Sequence, residues 1–139
     1  MKLLFFPKFI RGWNIQIVHY LEPLFNPKSV AIVGASHHEG KIGHTVVKNI
    51  VESGYKGKIY PVNPKGGEIL GLKVYKNILE IEEDIDVAII TVPANVAVNV
   101  IDDVAKKAKF IIVITSGFSE VGNIEGEKKL VETAKKHGS

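Results

Sequence analysis

Residues 30–47 read VAIVGASHHEGKIGHTVV. A run of apolar, mostly β-branched residues stops at Gly34, and a second glycine, Gly43, opens a segment whose apolar residues recur at helical spacing. β-branched runs suit a strand. Val46, Val47, Ile50 and Val51 share one face of a helix spanning 44–53. The stretch is therefore a buried strand, a long loop and a helix, and this order decides how the rest of the chain is read.

Outward from it, Gly54 stands where a helix would stop. Lys58–Val62 reads as a second strand, and Asn63-Pro-Lys-Gly-Gly67 cannot continue it. Residues 68–75 alternate weakly, as a turn and a short third strand, and 77–83 fit a brief helix. Residues 86–92 form a strand that Pro93 ends. Asn95 is placed to cap the following helix, whose inward face carries Val96, Val100, Ile101, Val104, Ala105 and Ala108. Residues 110–115 are a further apolar strand. A last helix over 127–137 turns Leu130, Val131 and Ala134 inward and carries Lys135, Lys136 and His137 in its final turn, where cations suit the dipole. Strands alternating with helices predict an α/β fold. Right-handed crossovers then give a Rossmann-like, doubly wound parallel sheet of about five strands in the order 3-2-1-4-5, with helices on both faces.

Composition bounds the function. A chain of 139 residues with 24% charged and 45% hydrophobic residues reads as one ordered globular domain. The net charge of +3 comes from scattered lysines, without the basic stripe of a nucleic-acid binder, so nucleic acid is excluded as a partner. Cysteine is absent, which removes thiolate metal sites and disulfides and suits the cytoplasm. No apolar run approaches the ~20 residues that span a bilayer, so no membrane partner is expected. Residues 1–20, MKLLFFPKFIRGWNIQIVHY, are aromatic and basic. They read as an N-terminal extension, either a packing arm or the product of a misassigned start, ahead of a domain over 21–139. Phe5, Phe6, Phe9 and Trp13 are candidates to cover an open sheet edge.

In an open parallel sheet, ligands sit beyond the carboxyl ends of the strands where strand order reverses. The predicted order brings four loops there: 34–43, 62–65, 91–95 and 115–118. In the first loop, Gly34 allows a sharp turn and close approach of a ligand to the backbone. The helix opening near Gly43 offers unpaired N–H groups and a partial positive charge to a diphosphate. Ser36 adds a hydroxyl and Lys41 a full charge. A bulky residue at Gly43 is expected to block the ligand while sparing the fold. The second loop has no carboxylate where an NAD site holds its ribose; Lys65 favours a phosphorylated ribose instead, which leaves NADP and coenzyme A. His37, His38 and His44 read as polar loop residues that tolerate an anion. They do not form a metal site, which needs three or four convergent ligands. No cysteine nucleophile or Gly-x-Ser-x-Gly elbow is present, and no residue is assigned a catalytic role.

Several ordered motifs carry a family likeness. Residues 25–36, FNPKSVAIVGAS, resemble the opening of the CoA-binding domain of ADP-forming acyl-CoA (acetyl-CoA) synthetases and of the α subunit of succinyl-CoA synthetase. Gly43 with Asn49, then YPVNPK at 60–65, DVAIITVPA at 86–94 and IVITSGFSE at 112–120, are similar to later parts of that domain. The resemblance runs roughly from Leu21 to Gly138. It implies CoA as the ligand, with the diphosphate on the loop made by Gly34, Ala35, Ser36, Lys41, Ile42 and Gly43. It places Val62, Asn63 and Lys65 around the adenosine and its 3′-phosphate, Val92 and Pro93 along the adenine or pantetheine path, and Thr115, Ser116 and Gly117 near the pantetheine arm.

The resemblance also marks what is missing. In the family's full enzymes a histidine in a second domain carries a phosphoryl group, and the present sequence stops short of that region. The chain alone is therefore not expected to make a thioester. The family activity, an ADP-forming acetate or acyl-CoA ligase, would need a second synthetase subunit, a homo-oligomer or the rest of a longer protein. The alternatives are a standalone CoA-sensing or interaction domain and, ranked lower, an NADP-binding fragment.

Overall fold

The computed structural model describes residues 15–115 and 123–138. Phe5, Phe6, Phe9 and Trp13, proposed above to cover a sheet edge, lie outside the described residues. Helix α1 (Ile15–Phe25) leads into strand β1 (Ser29–Val33), helix α2 (Ile42–Glu52) and strand β2 (Lys58–Val62). Two short strands, β3 (Glu68–Ile69) and β4 (Leu72–Lys73), and a 3-10 turn (Ile78–Glu80) come next. Strand β5 (Ile85–Ile90), helix α3 (Ala94–Lys107), strand β6 (Ala108–Val113) and helix α4 (Ile124–Lys136) complete the order.

The main sheet has four strands in the order β2-β1-β5-β6, and every pairing in it is parallel. Val33 sits opposite Val62 on one side and Ile90 on the other, so the carboxyl ends of three strands finish level. All of β1 is buried, as a central strand covered on both faces requires. One face packs Ala88, Ile90, Ala97, Ile101, Val104 and Leu130 under α3 and α4. The other packs Val30, Ile32, Ala35 and Val47 against Ile69 and Val74, beneath α2 and the β3–β4 hairpin. Helix α1 lies against β5 and β6, and Tyr20 meets Phe110 edge-on at 5.5 Å between ring centres. Burying each of Ile101 and Val104 contributes about 1.5–3 kcal/mol.

The third strand of the expected order is reduced. Residues 68–73 instead fold into an antiparallel hairpin that turns at Leu70 and Gly71, with φ of 49° and 80°. Left-handed residues in succession reverse a chain rather than extend it. Only Tyr75 reaches the sheet, in a single parallel bridge to Val62, with its N–H donating to Pro61 O and its carbonyl accepting from Asn63 N. The observed order is thus 2-1-4-5 of the expected one.

Two caps also differ from expectation. Helix α3 starts after Pro93 rather than Asn95, because the Pro93 carbonyl accepts from both Val96 N and Ala97 N at 2.9 Å. Helix α4 begins earlier than expected: Asn123 Oδ1 accepts from Gly126 N at 3.1 Å and caps it. α4 is then held to α3 where His137 Nε2 meets Asp102 Oδ1 at 2.8 Å.

Candidate functional site

β1 is flanked by β2 on one side and β5 on the other, so chain order reverses between β1 and β5. The loops after these strands meet there, as the topology demands. Gly34 has φ of 98°, and a Cβ at this position would lie 2.7 Å from both Thr91 Oγ1 and Val92 Cγ1. The first loop and the loop after β5 are therefore pressed together at a position that only glycine fills. Thr91 is buried and its hydroxyl donates to Val33 O at 3.1 Å, which locks the β5 end onto β1. Val92 is half-buried against Gly34, and Pro93 is exposed.

Within the first loop the backbone is heavily committed. Gly34 N and Ala35 N both donate to Val62 O, at 3.1 and 3.2 Å. Ala35 is fully buried, so its methyl is core. Ser36 Oγ accepts from His38 N at 3.1 Å, and the Ser36 carbonyl accepts from His44 Nδ1 at 2.9 Å. Lys41 is the N-cap of α2 and provides no side-chain cap. Its carbonyl takes His44 N and Thr45 N, while the amides of Ile42 and Gly43 donate to no group among the described residues. Lys41 and Ile42 are both exposed. These are the orphan donors that make a helix start a phosphate site.

Gly43 does something the sequence did not reveal. A Cβ there would sit 1.9 Å from the Gly34 carbonyl oxygen, so the first turn of α2 rests directly on the end of β1. A side chain at this position would push helix from strand. That corrects the expectation that a bulky residue would spare the fold.

The second loop is stitched to the first. Asn63 Nδ2 donates to Ala35 O at 2.8 Å, and Asn63 Oδ1 accepts from Lys65 N at 2.9 Å. His37 Nε2 donates to Gly66 O at 2.8 Å. Val62 is buried beneath this junction, whereas Lys65 stands exposed above it. Lys76 lies along Gly66, where an added Cβ would meet its Cε at 3.2 Å. Lys41, Lys65 and Lys76 form no ion pair among the described residues. Elsewhere Lys58 pairs with Glu83, Lys106 with Asp102 and Lys109 with Asp86. The one carboxylate in the first loop, Glu39, is exposed. Lys41 and Lys65 thus stand at this rim with their charges unmatched by an ion pair among the described residues, as several lysines elsewhere on the surface also do.

Of the expected site residues, Gly34, Ala35, Gly43, Val62, Asn63 and Val92 are joined by the contacts above; Ser36 continues the first loop, Lys41 and Ile42 open α2, Lys65 follows Asn63 on the second loop and Pro93 opens α3. Thr115 follows β6 and is separated from β1 by the width of β5. Ser116 and Gly117 lie outside the described residues. Sequence reasoning missed Lys76, which is brought in by the β3–β4 hairpin, and the anchoring roles of His37 and His44. No spacing rule points to them, since each depends on contacts across loops.

Comparison with known proteins places these features in context. The model of the CoA binding domain family matches residues 28–139. The alpha subunit of ADP-forming acetate–CoA ligase I of Pyrococcus furiosus is 52% identical over 126 residues, covering 85% of this chain and 27% of that protein. The apo form of a dinucleotide-forming acetyl-coenzyme A synthetase 1 of Ca. Korarchaeum cryptofilum superposes with a TM-score of 0.82 at 48% identity, over 85% of this chain and 26% of that one. A conserved hypothetical protein of Pyrococcus furiosus, 28% identical with a TM-score of 0.65, is matched over 80% of this chain and 88% of its own length. The chain therefore spans about a quarter of the length of the two synthetase relatives.

Proposed function

The chain belongs to the CoA binding domain family, and we propose that it holds coenzyme A for an ADP-forming acyl-CoA ligase whose phosphoryl chemistry lies in other domains or subunits. It corresponds to the CoA-binding portion of ADP-forming synthetase subunits. CoA is read here as a substrate that binds and leaves, rather than a resident cofactor. The partner is a second synthetase subunit, as the name of the Pyrococcus furiosus relative suggests, or another copy of the chain. Among the described residues no helix is long and apolar enough to cross a membrane.

The observation that carries this reading is the pairing of unclaimed amides with unclaimed cations. Ile42 N and Gly43 N face no acceptor among the described residues; Lys41 immediately precedes them, and Lys65 stands on the second loop, with Lys76 alongside its Gly66, a loop that Asn63 and His37 tie to the first. Helix-end amides suit a diphosphate, and a separate lysine suits the 3′-phosphate of the CoA ribose. By this reading Gly34, Ala35, Ser36, Lys41, Ile42 and Gly43 surround the diphosphate, while Val62, Asn63 and Lys65 border the adenosine. Val92 and Pro93 line the path onward, and Thr115, Ser116 and Gly117 meet the pantetheine arm. The chain's own contribution is to bind and orient CoA; no side chain here transfers a group.

Titration calorimetry with CoA, dephospho-CoA and NADP tests it. CoA binding more tightly than dephospho-CoA is the expected result. A preference for NADP, or no heat with CoA at millimolar concentration, would overturn it. A second reading, a freestanding CoA-binding protein without catalysis, is favoured by the small Pyrococcus furiosus protein that the chain matches over most of that protein's length. A neighbouring reading frame encoding the remaining synthetase domains would decide for the first reading.

A further inference from the structure

We infer that His44 and Asn63 are positioning residues that turn the peptide planes of the first loop so that two further amides, those of Ser36 and His37, face the ligand. The inference rests on the CoA reading and adds to it residues that no contact with CoA would require.

The geometry follows from planarity. A trans peptide holds its C=O and N–H antiparallel, and the chain has no cis peptide among the described residues. The Ser36 carbonyl points at His44 Nδ1, 2.9 Å away. The N–H of the same peptide, that of His37, must then point away from the buried imidazole. The Ala35 carbonyl points at Asn63 Nδ2, 2.8 Å away, so Ser36 N–H points away from Asn63. Neither amide finds an acceptor among the described residues. Two consecutive N–H groups freed in this manner are donors open to an anion, and the orphan amides of Ile42 and Gly43 stand at the far end of the same loop.

The chemistry of His44 argues that stability does not explain it. The ring is only 7% exposed. A carbonyl can only accept, so Nδ1 must carry a proton, and Nε2 is buried without a hydrogen-bond partner among the described residues. A leucine would fill the site without the unsatisfied Nε2, which folding disfavours, but would take the donor from the half-buried Ser36 carbonyl. What an imidazole supplies and leucine cannot is the donor that fixes the Ser36 carbonyl. Asparagine carries an amide nitrogen at the same distance along its side chain as Nδ1.

The test uses the full chain with inorganic pyrophosphate and CoA, in three variants. His44→Leu is expected to weaken both ligands by about tenfold, the loss that follows when charge-assisted hydrogen bonds lose their alignment. His44→Asn is expected to restore most of that affinity, which a purely packing role for the ring would not produce. Asn63→Leu should act in the same direction. In the unmodified protein, the amide resonances of Ser36 and His37 should shift on adding pyrophosphate. If those of Ile42 and Gly43 shift while Ser36 and His37 stay still, the inference fails and the CoA reading stands. It also fails if His44→Leu, folded by its amide spectrum, binds as tightly as the parent. If His44→Leu does not fold, the spectrum of the parent protein alone decides. No response anywhere to pyrophosphate or CoA removes the CoA reading itself.

Discussion

Gly43 and Gly34 touch through their backbones: a Cβ added to Gly43 would lie 1.9 Å from the Gly34 carbonyl oxygen. The helix that presents its N-terminus to the ligand is thus seated on the strand end that turns under the ligand. Gly43→Ala should destabilise the fold by ~1–3 kcal/mol through overpacking, seen as a lower midpoint in urea at unchanged slope. An unchanged midpoint would mean that the helix can lift from the strand without cost.

Lys65 stands exposed over the second loop with no carboxylate paired to it among the described residues. Lys65→Ala should weaken CoA by about 1.5–3 kcal/mol if it contacts the 3′-phosphate and should leave dephospho-CoA nearly unaffected. Both affinities should fall as salt is raised. Equal losses for the two ligands, measured by calorimetry, would take the 3′-phosphate away from Lys65. Lys76→Ala, measured alongside, reports whether the second rim cation shares the contact.

Asp86 fastens the opposite end of the sheet. It is 8% exposed, its Oδ2 accepts from Lys28 N at 2.8 Å and its Oδ1 lies 3.0 Å from Lys109 Nζ. Asp86→Ala should cost about 1.5–3 kcal/mol without changing CoA affinity, because the residue lies at the amino end of β5. Lys109→Ala, at a half-exposed position, should cost less. Denaturation midpoints with CoA titrations on the same samples separate the two effects.

Asp102 makes the α3–α4 contact sensitive to acid. Its hydrogen bond from Lys106, and then that from His137, hold its carboxyl well below the ordinary 3.8, at about 2. A depressed carboxyl contributes stability that is fully present above its unfolded value and is lost as pH falls through the folded one. The advantage of the parent over Asp102→Asn should therefore be constant above pH 4 and shrink between about pH 4 and pH 2. A stability difference that does not change across this window, followed by urea unfolding, would mean that Asp102 is not held by these partners.

Much of the architecture was legible because it is written in short-range pattern. The apolar runs of β1 and β5, the turn at Gly34 and the helical spacing of α2 and α3 are local properties, and alternation of these elements leads to a parallel sheet. The third strand was misjudged because weak alternation over 68–75 does not show that the chain doubles back at Leu70 and Gly71. The start of α3 was misplaced because a backbone carbonyl, that of Pro93, took the role expected of the Asn95 side chain. In the site, glycine spacing and the lysine after Asn63 were visible. Lys76 was not, since only the hairpin folds it over Gly66.

The sequence by itself determined the strand–loop–helix order, the reversal of strand order beside β1 and the absence of an acid where NAD would need one. Each follows from periodicity, turn chemistry or residue type within a few positions. Only the tertiary structure decided that Gly43 packs a helix onto a strand, that Asn63 and His44 hold the carbonyls of Ala35 and Ser36, and that Lys76 lies along Gly66 of the second loop. These depend on residues distant in the chain meeting within hydrogen-bond or van der Waals reach, and the direction of a peptide plane is set by the partner it finds.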